Sequence, residues 1–105
     1  MRYKALLSKI EWEAELLGRH LSVMRVVAKS GPIGIMKLTE ELNQPQHRIR
    51  YSLRVLDKMQ YIKATPDGAV ATPKSYDMLK NFDTELDGLI RQLSTLHQEE
   101  TSPKS

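Results

Sequence analysis

The sequence contains no cysteine, and this absence excludes several classes of function at once. Disulfide bonds, thiolate metal sites and cysteine nucleophiles all require that residue. Histidine occurs three times, but His20, His47 and His97 are too dispersed for a metal site, and no HExxH-type spacing is present. Glycine-rich phosphate loops are absent, and the acidic residues near the start of the chain would spread around a helix instead of converging. We therefore expect a protein that is not an enzyme and that holds no cofactor or metal.

Long hydrophobic runs are absent too, which argues against a targeting or membrane segment. The chain begins with the charges of Arg2, Lys4 and Lys9 and has no unbroken apolar stretch there. We therefore expect neither a signal peptide nor a membrane anchor. The lack of cysteine suits a reducing, cytoplasmic location. A length of 105 residues is that of one domain.

Positive charge is concentrated in the middle of the chain. The sequence has 16 lysines and arginines against 13 aspartates and glutamates, a net charge of +3. Residues 46–74 hold six basic and two acidic residues, whereas residues 75–105 hold three and six. A local basic segment suits a polyanionic partner such as a nucleic acid, although a solvated helix face would give the same count.

Long amphipathic helices are predicted at the two ends of the sequence. From Tyr3 onward, apolar residues alternate spacings of four and three, which is typical of a helix with one apolar face. Gly31-Pro32 ends this helix, and Gly18 is a possible bend. A last helix with the same alternation opens at Thr72 or Pro73. The apolar positions are Leu7, Ile10, Ala14, Leu17, Leu21, Met24 and Ala28 in the first helix, and Leu79, Phe82, Leu86, Leu89, Leu93 and Leu96 in the last.

Shorter elements are predicted between these helices. An extended piece at residues 33–35 precedes a brief helix over residues 36–42. A turn then leads to Pro45, which suits the first position of a helix because its missing N–H costs nothing there. This helix is expected to run to about Gln60. Its buried side should hold Ile49, Leu53 and Leu56, with Ser52 and Gln60 beside them.

A hairpin is predicted over residues 61–72, with strands at 61–65 and 69–72 around an Asp67-Gly68 turn. The resulting order is helix, short strand, helix, turn, helix, hairpin, helix. It resembles that of the winged helix-turn-helix transcription regulators, particularly small archaeal ones. The resemblance covers residues 20–72, roughly half of the chain. It is carried by Gly31-Pro32-Ile33-Gly34, Leu38-Thr39-Glu40-Glu41-Leu42, Pro45, the helix over 48–56 and the hairpin tip.

This resemblance implies a mainly α fold with a small β-hairpin (α+β). A winged helix-turn-helix core of about residues 20–72 would be flanked by long N- and C-terminal helices. We expect a single domain over residues 1–98 and a disordered tail over residues 99–105, which are polar.

In such regulators the second helix of the helix-turn-helix enters the major groove, and the hairpin, or wing, contacts the backbone. Here these elements would be residues 45–60 and 61–72. At 100° per residue, the side opposite Ile49 carries three cations, a histidine and a tyrosine. The candidate DNA-binding residues are Gln46, His47, Arg48, Arg50, Tyr51, Arg54 and Lys58 on this helix, Lys63 and Lys74 at the wing, and Lys37 and Thr39 at the start of the brief helix.

The two long apolar stripes predict a homodimer, because a core of about fifty residues cannot cover both. Alternatively, the two helices pack only on each other within one chain. Trp12 is expected to be buried in the core or in an interface. The leading hypothesis is a sequence-specific, dimeric regulator that binds double-stranded DNA, and the alternative is a winged-helix module whose partner is protein or RNA. The candidate dimer residues are Tyr3, Leu7, Ile10, Leu79, Phe82, Leu86, Leu89, Leu93 and Leu96.

Overall fold

The computed structural model describes residues 2–97, with side chains from residue 5 onward. Within that part of the chain there are four helices and one two-stranded antiparallel hairpin. The expected mainly α fold with a small hairpin is confirmed, whereas the tail expected over residues 99–105 lies outside the described residues. The elements are α1 (Arg2–Ser30), α2 (Ile35–Leu42), α3 (Gln46–Lys58), β1 (Ile62–Thr65), β2 (Gly68–Ala71) and α4 (Pro73–Ser94).

The first helix runs through Gly18 without interruption and ends at Ser30, as the sequence predicts. Its 29 residues correspond to about 43 Å at 1.5 Å per residue. None of the helices in the described range 2–97 is both long and apolar enough to cross a membrane.

Two glycines allow the backbone to pack closely around the hairpin. A Cβ on Gly31 would lie 2.8 Å from the carbonyl oxygen of Ala69, and one on Gly68 would lie 2.6 Å from the backbone of Ile33. Gly68 also has a φ of 126°, a backbone conformation that residues other than glycine rarely adopt. Ile33 exchanges two hydrogen bonds with Ala69, of 3.1 and 2.8 Å. The extended piece expected at residues 33–35 therefore amounts to a single bridge against β2.

The hairpin is shorter than expected by one residue at its base, and its strands pair from Ile62 with Ala71 to Thr65 with Gly68. Tyr61 and Thr72 lie outside the strands. The Tyr61 N–H donates to the carbonyl of Leu56, at the end of α3. Thr72 is the N-cap of α4, where its hydroxyl accepts from the N–H of Ser75.

The predicted buried side of α3 agrees with the structure at Ile49 and Leu56 and differs at the residues beside them. Ile49 and Leu56 are buried, but Ser52 is fully buried while Leu53 is only half-buried. Gln60 is exposed, because a positive φ of 67° turns the chain out of the helix. Pro45 is the residue that precedes the helix, not its first residue. The hydrophobic core consists of Leu21, Val23, Met24, Val27, Ile33, Leu38, Ile49, Leu56 and Ile62.

The molecule is elongated because the N-terminal half of α1 extends beyond this core. Its extents are 66 by 30 by 21 Å and its radius of gyration is 17.7 Å, against about 13 Å for a compact domain of this length. Trp12 lies in the extended half and is 58% exposed, so the expectation that it is buried in the core is wrong. The side chain of Tyr3 lies outside the described residues.

Candidate functional site

The outward side of α3 is a continuous polar and basic surface. We call the side chains of His47, Arg50, Tyr51, Arg54 and Lys58 the basic face. All five are exposed, and they project from the side of the helix opposite buried Ile49 and Leu56. Exposed Gln46 begins the helix beside them. The structure thus brings together the helix residues that the sequence predicts as an interface.

The cations of the basic face have no acidic partner. Among the side chains that the structure describes, none of Arg50, Arg54 and Lys58 has a carboxylate oxygen within 4 Å. Arg50 and Arg54, and Arg54 and Lys58, are each four residues apart, a spacing at which like charges on a helix repel by a few tenths of a kcal/mol. An anion placed on this face would relieve that repulsion.

A cleft of about 490 Å³ separates α3 from the hairpin. Arg50, Arg54 and Asp57 line it on the helix side, while Ala64 and Thr65 line it on the hairpin side. Two arginines therefore flank a cleft with one carboxylate, on the side of α3 that faces the hairpin.

Lys63 lies on a different surface from the arginines. Its neighbours in β1, Ile62 and Ala64, face the cleft, and alternate side chains of a strand point to opposite faces. The exposed Lys63 side chain therefore projects from the far face of the hairpin. If Lys63 contacts a polyanion, it does so at a separate position from Arg50 and Arg54 and not at the same one.

Lys74 is placed at the end of α3. Its Nζ donates a 2.8 Å hydrogen bond to the carbonyl oxygen of Met59 and lies 4.8 Å from the ring centroid of Tyr61. A cation at the C-terminal end of a helix is stabilised by the carbonyls that lack intrahelical partners. This position favours a structural role for Lys74 over the predicted contact with phosphate.

The two candidates on α2 differ in how their polar atoms are used. Lys37 is exposed. Thr39 is half-buried, and its hydroxyl donates a 2.6 Å hydrogen bond to the carbonyl oxygen of Met36 in the same helix. Thr39 therefore has only its acceptor capacity left for a partner.

A partly buried polar pair connects α1 to α3. His20 Nδ1 and the Oγ of fully buried Ser52 share a hydrogen bond of 2.8 Å. The His20 ring also lies 5.9 Å from the ring of Tyr51. Burial, and secondarily the charge of Arg19, lower the pKa of His20 below its ordinary value of 6.5. The sequence predicts Ser52 beside the buried side of α3 but carries no signal for its partner, because the two residues are 32 positions apart.

The other flank of α3 faces α1 across a second cleft. Trp12, Glu15 and Arg19 of α1 line it together with His47 and Arg48 of α3. Arg48 therefore faces α1, at the side of the basic face. Sequence reasoning did not place Trp12 or Arg19 near the candidate site, since nothing local to either residue indicates which helix lies beside it.

The predicted dimer residues fall into two groups. Leu79 and Phe82 pack against the core of their own chain, and Leu86 is half-buried. Leu79 and Phe82 are therefore partly engaged within the chain, and their place in a dimer interface stays a prediction. The group that remains exposed consists of Leu7, Ile10, Leu89, Leu93 and Leu96, of which Leu96 lies beyond the end of α4.

An apolar groove of about 330 Å³ lies between α1 and α4 and ends on α3. Leu17 and Leu21 line one wall and Leu86 and Leu89 the other. Along the described part of the chain, no group of three or more His, Asp or Glu residues is placed to hold a metal ion. No protein-family model matches the sequence.

Proposed function

We propose that the protein is a winged helix-turn-helix regulator that binds double-stranded DNA and catalyses no reaction. In this proposal α2 and α3 are the helix-turn-helix, α3 is the recognition helix in the major groove, and β1 and β2 form the wing. The observation that carries the proposal is the basic face of α3, whose cations are exposed and have no acidic partner among the side chains that the structure describes. A cytoplasmic location is part of the proposal, because it suits a DNA-binding protein without cysteine.

The dimensions and chemistry of α3 suit the major groove. The groove of B-DNA is about 12 Å wide and admits one α-helix. Arg50 lies near the start of α3, the part of a recognition helix that is closest to the base edges. Its planar guanidinium can bridge O6 and N7 of guanine. Lys58 ends the helix, where the chain rises towards the backbone, so we assign it to phosphate.

We further propose that the regulator is a homodimer in which a second copy covers the groove between α1 and α4. Leu89 and Leu93 are 43% and 44% exposed on α4, and Leu7 and Ile10 are exposed on the extended half of α1. Monomeric proteins rarely expose large apolar patches, so exposed apolar residues on both helices beside an apolar groove favour a partner. A two-fold axis would place the same surface of a second copy against it, which also suits two half-sites on DNA.

The test is binding of the purified protein to a pool of double-stranded DNA fragments, followed by fluorescence anisotropy on the enriched sequence at two salt concentrations. The proposal predicts affinity for the enriched sequence well above that for unrelated DNA, with both affinities falling as salt rises. Equal affinity for all sequences would reduce the proposal to non-specific DNA binding. No binding to DNA at low salt would contradict it and would favour a module whose partner is protein or RNA.

A further inference from the structure

The position of Trp12 indicates that α1 forms a surface beside α3 in addition to packing in the core. Trp12 is the only tryptophan in the chain and is largely exposed. It lies on the same side of α1 as Arg19 and Val23, seven and eleven residues further on, at nearly the same angle around the helix. Val23 is fully buried in the core. This strip of α1 therefore begins in the core and continues outward along the flank of α3.

The strip carries positive charge at Arg19, which is half-buried. Arg19 of α1 and Arg48 of α3 line one cleft, which Glu15 of α1 also lines. Along the described side chains, neither arginine has a carboxylate oxygen within 4 Å, Glu15 included. Gly18 leaves this cleft open, since a Cβ there would meet no atom within 4 Å.

We infer that α1 is a second DNA-contacting element, in which Trp12 and Arg19, together with Arg48, bind the phosphate backbone beside the recognition helix. The inference rests on the proposed function. It assigns DNA phosphates as the partner of α1, which lies outside the proposed helix-turn-helix. The arginines pair with phosphate oxygens, and the Trp12 indole N–H donates to a phosphate oxygen or packs on the sugar.

The distance between packed helices indicates that this strip contacts phosphates and not base edges. Packed helices lie about 8–10 Å apart, whereas the major groove is about 12 Å wide and is filled by one helix. When α3 occupies the groove, a helix packed at its flank meets the rim, where the phosphates lie. The same placement makes the carboxylate of Glu15 unfavourable for binding, since it lies among the same side chains.

The test compares three single substitutions on α1 by anisotropy over a range of salt concentrations. Arg19→Gln should weaken binding to enriched and unrelated DNA alike, by about eightfold per subunit at 0.1 M salt, and lower the salt slope by about 0.9. Glu15→Gln should strengthen binding. Arg25→Gln is the matched control, because it removes the same charge from α1 at a site facing Phe82 of α4, and it should leave affinity unchanged apart from weak long-range effects. Arg19→Lys should restore the salt slope.

Trp12 provides a direct readout in the unmodified protein. Saturating DNA should reduce quenching of its fluorescence by acrylamide, a neutral quencher, and Trp12→Phe should weaken binding. Unchanged quenching overturns the Trp12 contact, and a wild-type affinity and salt slope in Arg19→Gln overturn the arginine contact. If Arg50→Ala still weakens binding in those cases, the proposed function stands without α1. If the wild-type protein binds no DNA, the proposed function fails and this inference fails with it.

Discussion

His20 Nδ1 lies 2.8 Å from the Oγ of Ser52, and this hydrogen bond joins α1 to the buried side of α3. Ser52 has no exposed surface, so its hydroxyl needs a partner within the protein. Ser52 lies on the side of α3 away from Arg54, so the contact is consistent with the outward orientation of the basic face. This polar contact adds to the packing of Ile49 and Leu56, which hold the same side of α3 in the core.

Removing the buried hydroxyl should destabilise the fold. Ser52→Ala leaves the facing nitrogen of His20 without its partner, and we expect a loss of about 1 kcal/mol in the free energy of unfolding, measured with urea. The matched control is Ser22→Ala, at an exposed helical position, which should be neutral or slightly stabilising because alanine has the higher helix propensity. Equal stabilities for the two variants would show that the His20 contact contributes nothing.

Stability should fall as the pH is lowered through the range in which His20 titrates. Burial, and then Arg19, lower the pKa of His20 in the folded state below 6.5, so the unfolded chain binds the proton more readily. This contribution to stability is fully present above the unfolded pKa and is lost as pH falls through the folded pKa. Urea unfolding at pH 7.5 and pH 5.5 should therefore show a larger loss for wild type than for His20→Gln. The same loss in both proteins would contradict this assignment.

Two glycines should respond to alanine in opposite directions. Gly68→Ala should cost about 2 kcal/mol or more, because the residue has a φ of 126° and the new Cβ would meet the backbone of Ile33. Gly18→Ala should stabilise the protein by about 0.5–1 kcal/mol, because this glycine lies inside α1 with open space around it. Thermal unfolding measures both, and a neutral Gly68→Ala would contradict the hairpin geometry.

The sequence predicted local features well because their causes are local. Gly31-Pro32 ends α1, and Thr72 followed by Pro73 starts α4, since each signal acts on its own few residues. The helical period of α3 was enough to bring Arg50 and Arg54 to one exposed face. All of these follow from backbone chemistry and spacing.

Features that depend on contacts between distant helices and strands could not be predicted from local sequence signals. Trp12 is exposed because α1 extends beyond the core, and Lys74 is engaged because the end of α3 lies beside the start of α4. Each of these positions is fixed by tertiary packing, on which a single sequence carries no direct signal.

Substitution of Lys63 should affect DNA binding, whereas substitution of Lys74 should affect stability. Lys63→Ala should lower the slope of log affinity on log salt by about 0.9 per subunit, if its side of the hairpin meets phosphate. Lys74→Ala should instead lower stability by about 0.5–1 kcal/mol, because it removes the contact with the carbonyl of Met59. Anisotropy titrations and urea unfolding on both variants distinguish the roles, and a reduced salt slope only in Lys74→Ala would reverse them.

Charges placed on the exposed end of α4 should dissociate the proposed dimer. Leu89→Glu combined with Leu93→Glu would bury two carboxylates against apolar side chains, so we expect monomers in sedimentation velocity at tens of micromolar. Met36→Glu is the control, because Met36 is an exposed apolar residue that lies on α2, away from the groove between α1 and α4. A wild-type protein that sediments as a monomer at these concentrations would contradict the dimer.

The most direct test of the central claim removes the basic face from an otherwise folded protein. Arg50→Ala alone should cost about 1–3 kcal/mol in binding to the enriched DNA and relax the preference at one base position. The combined His47→Ala, Arg50→Ala and Arg54→Ala variant should lose sequence-specific binding while its circular dichroism stays that of wild type, since all three side chains are exposed. Lys80→Ala with Arg91→Ala removes two exposed cations from α4 and should retain specificity. Full affinity and selectivity in the folded triple variant would show that α3 does not read DNA, and the account would be wrong.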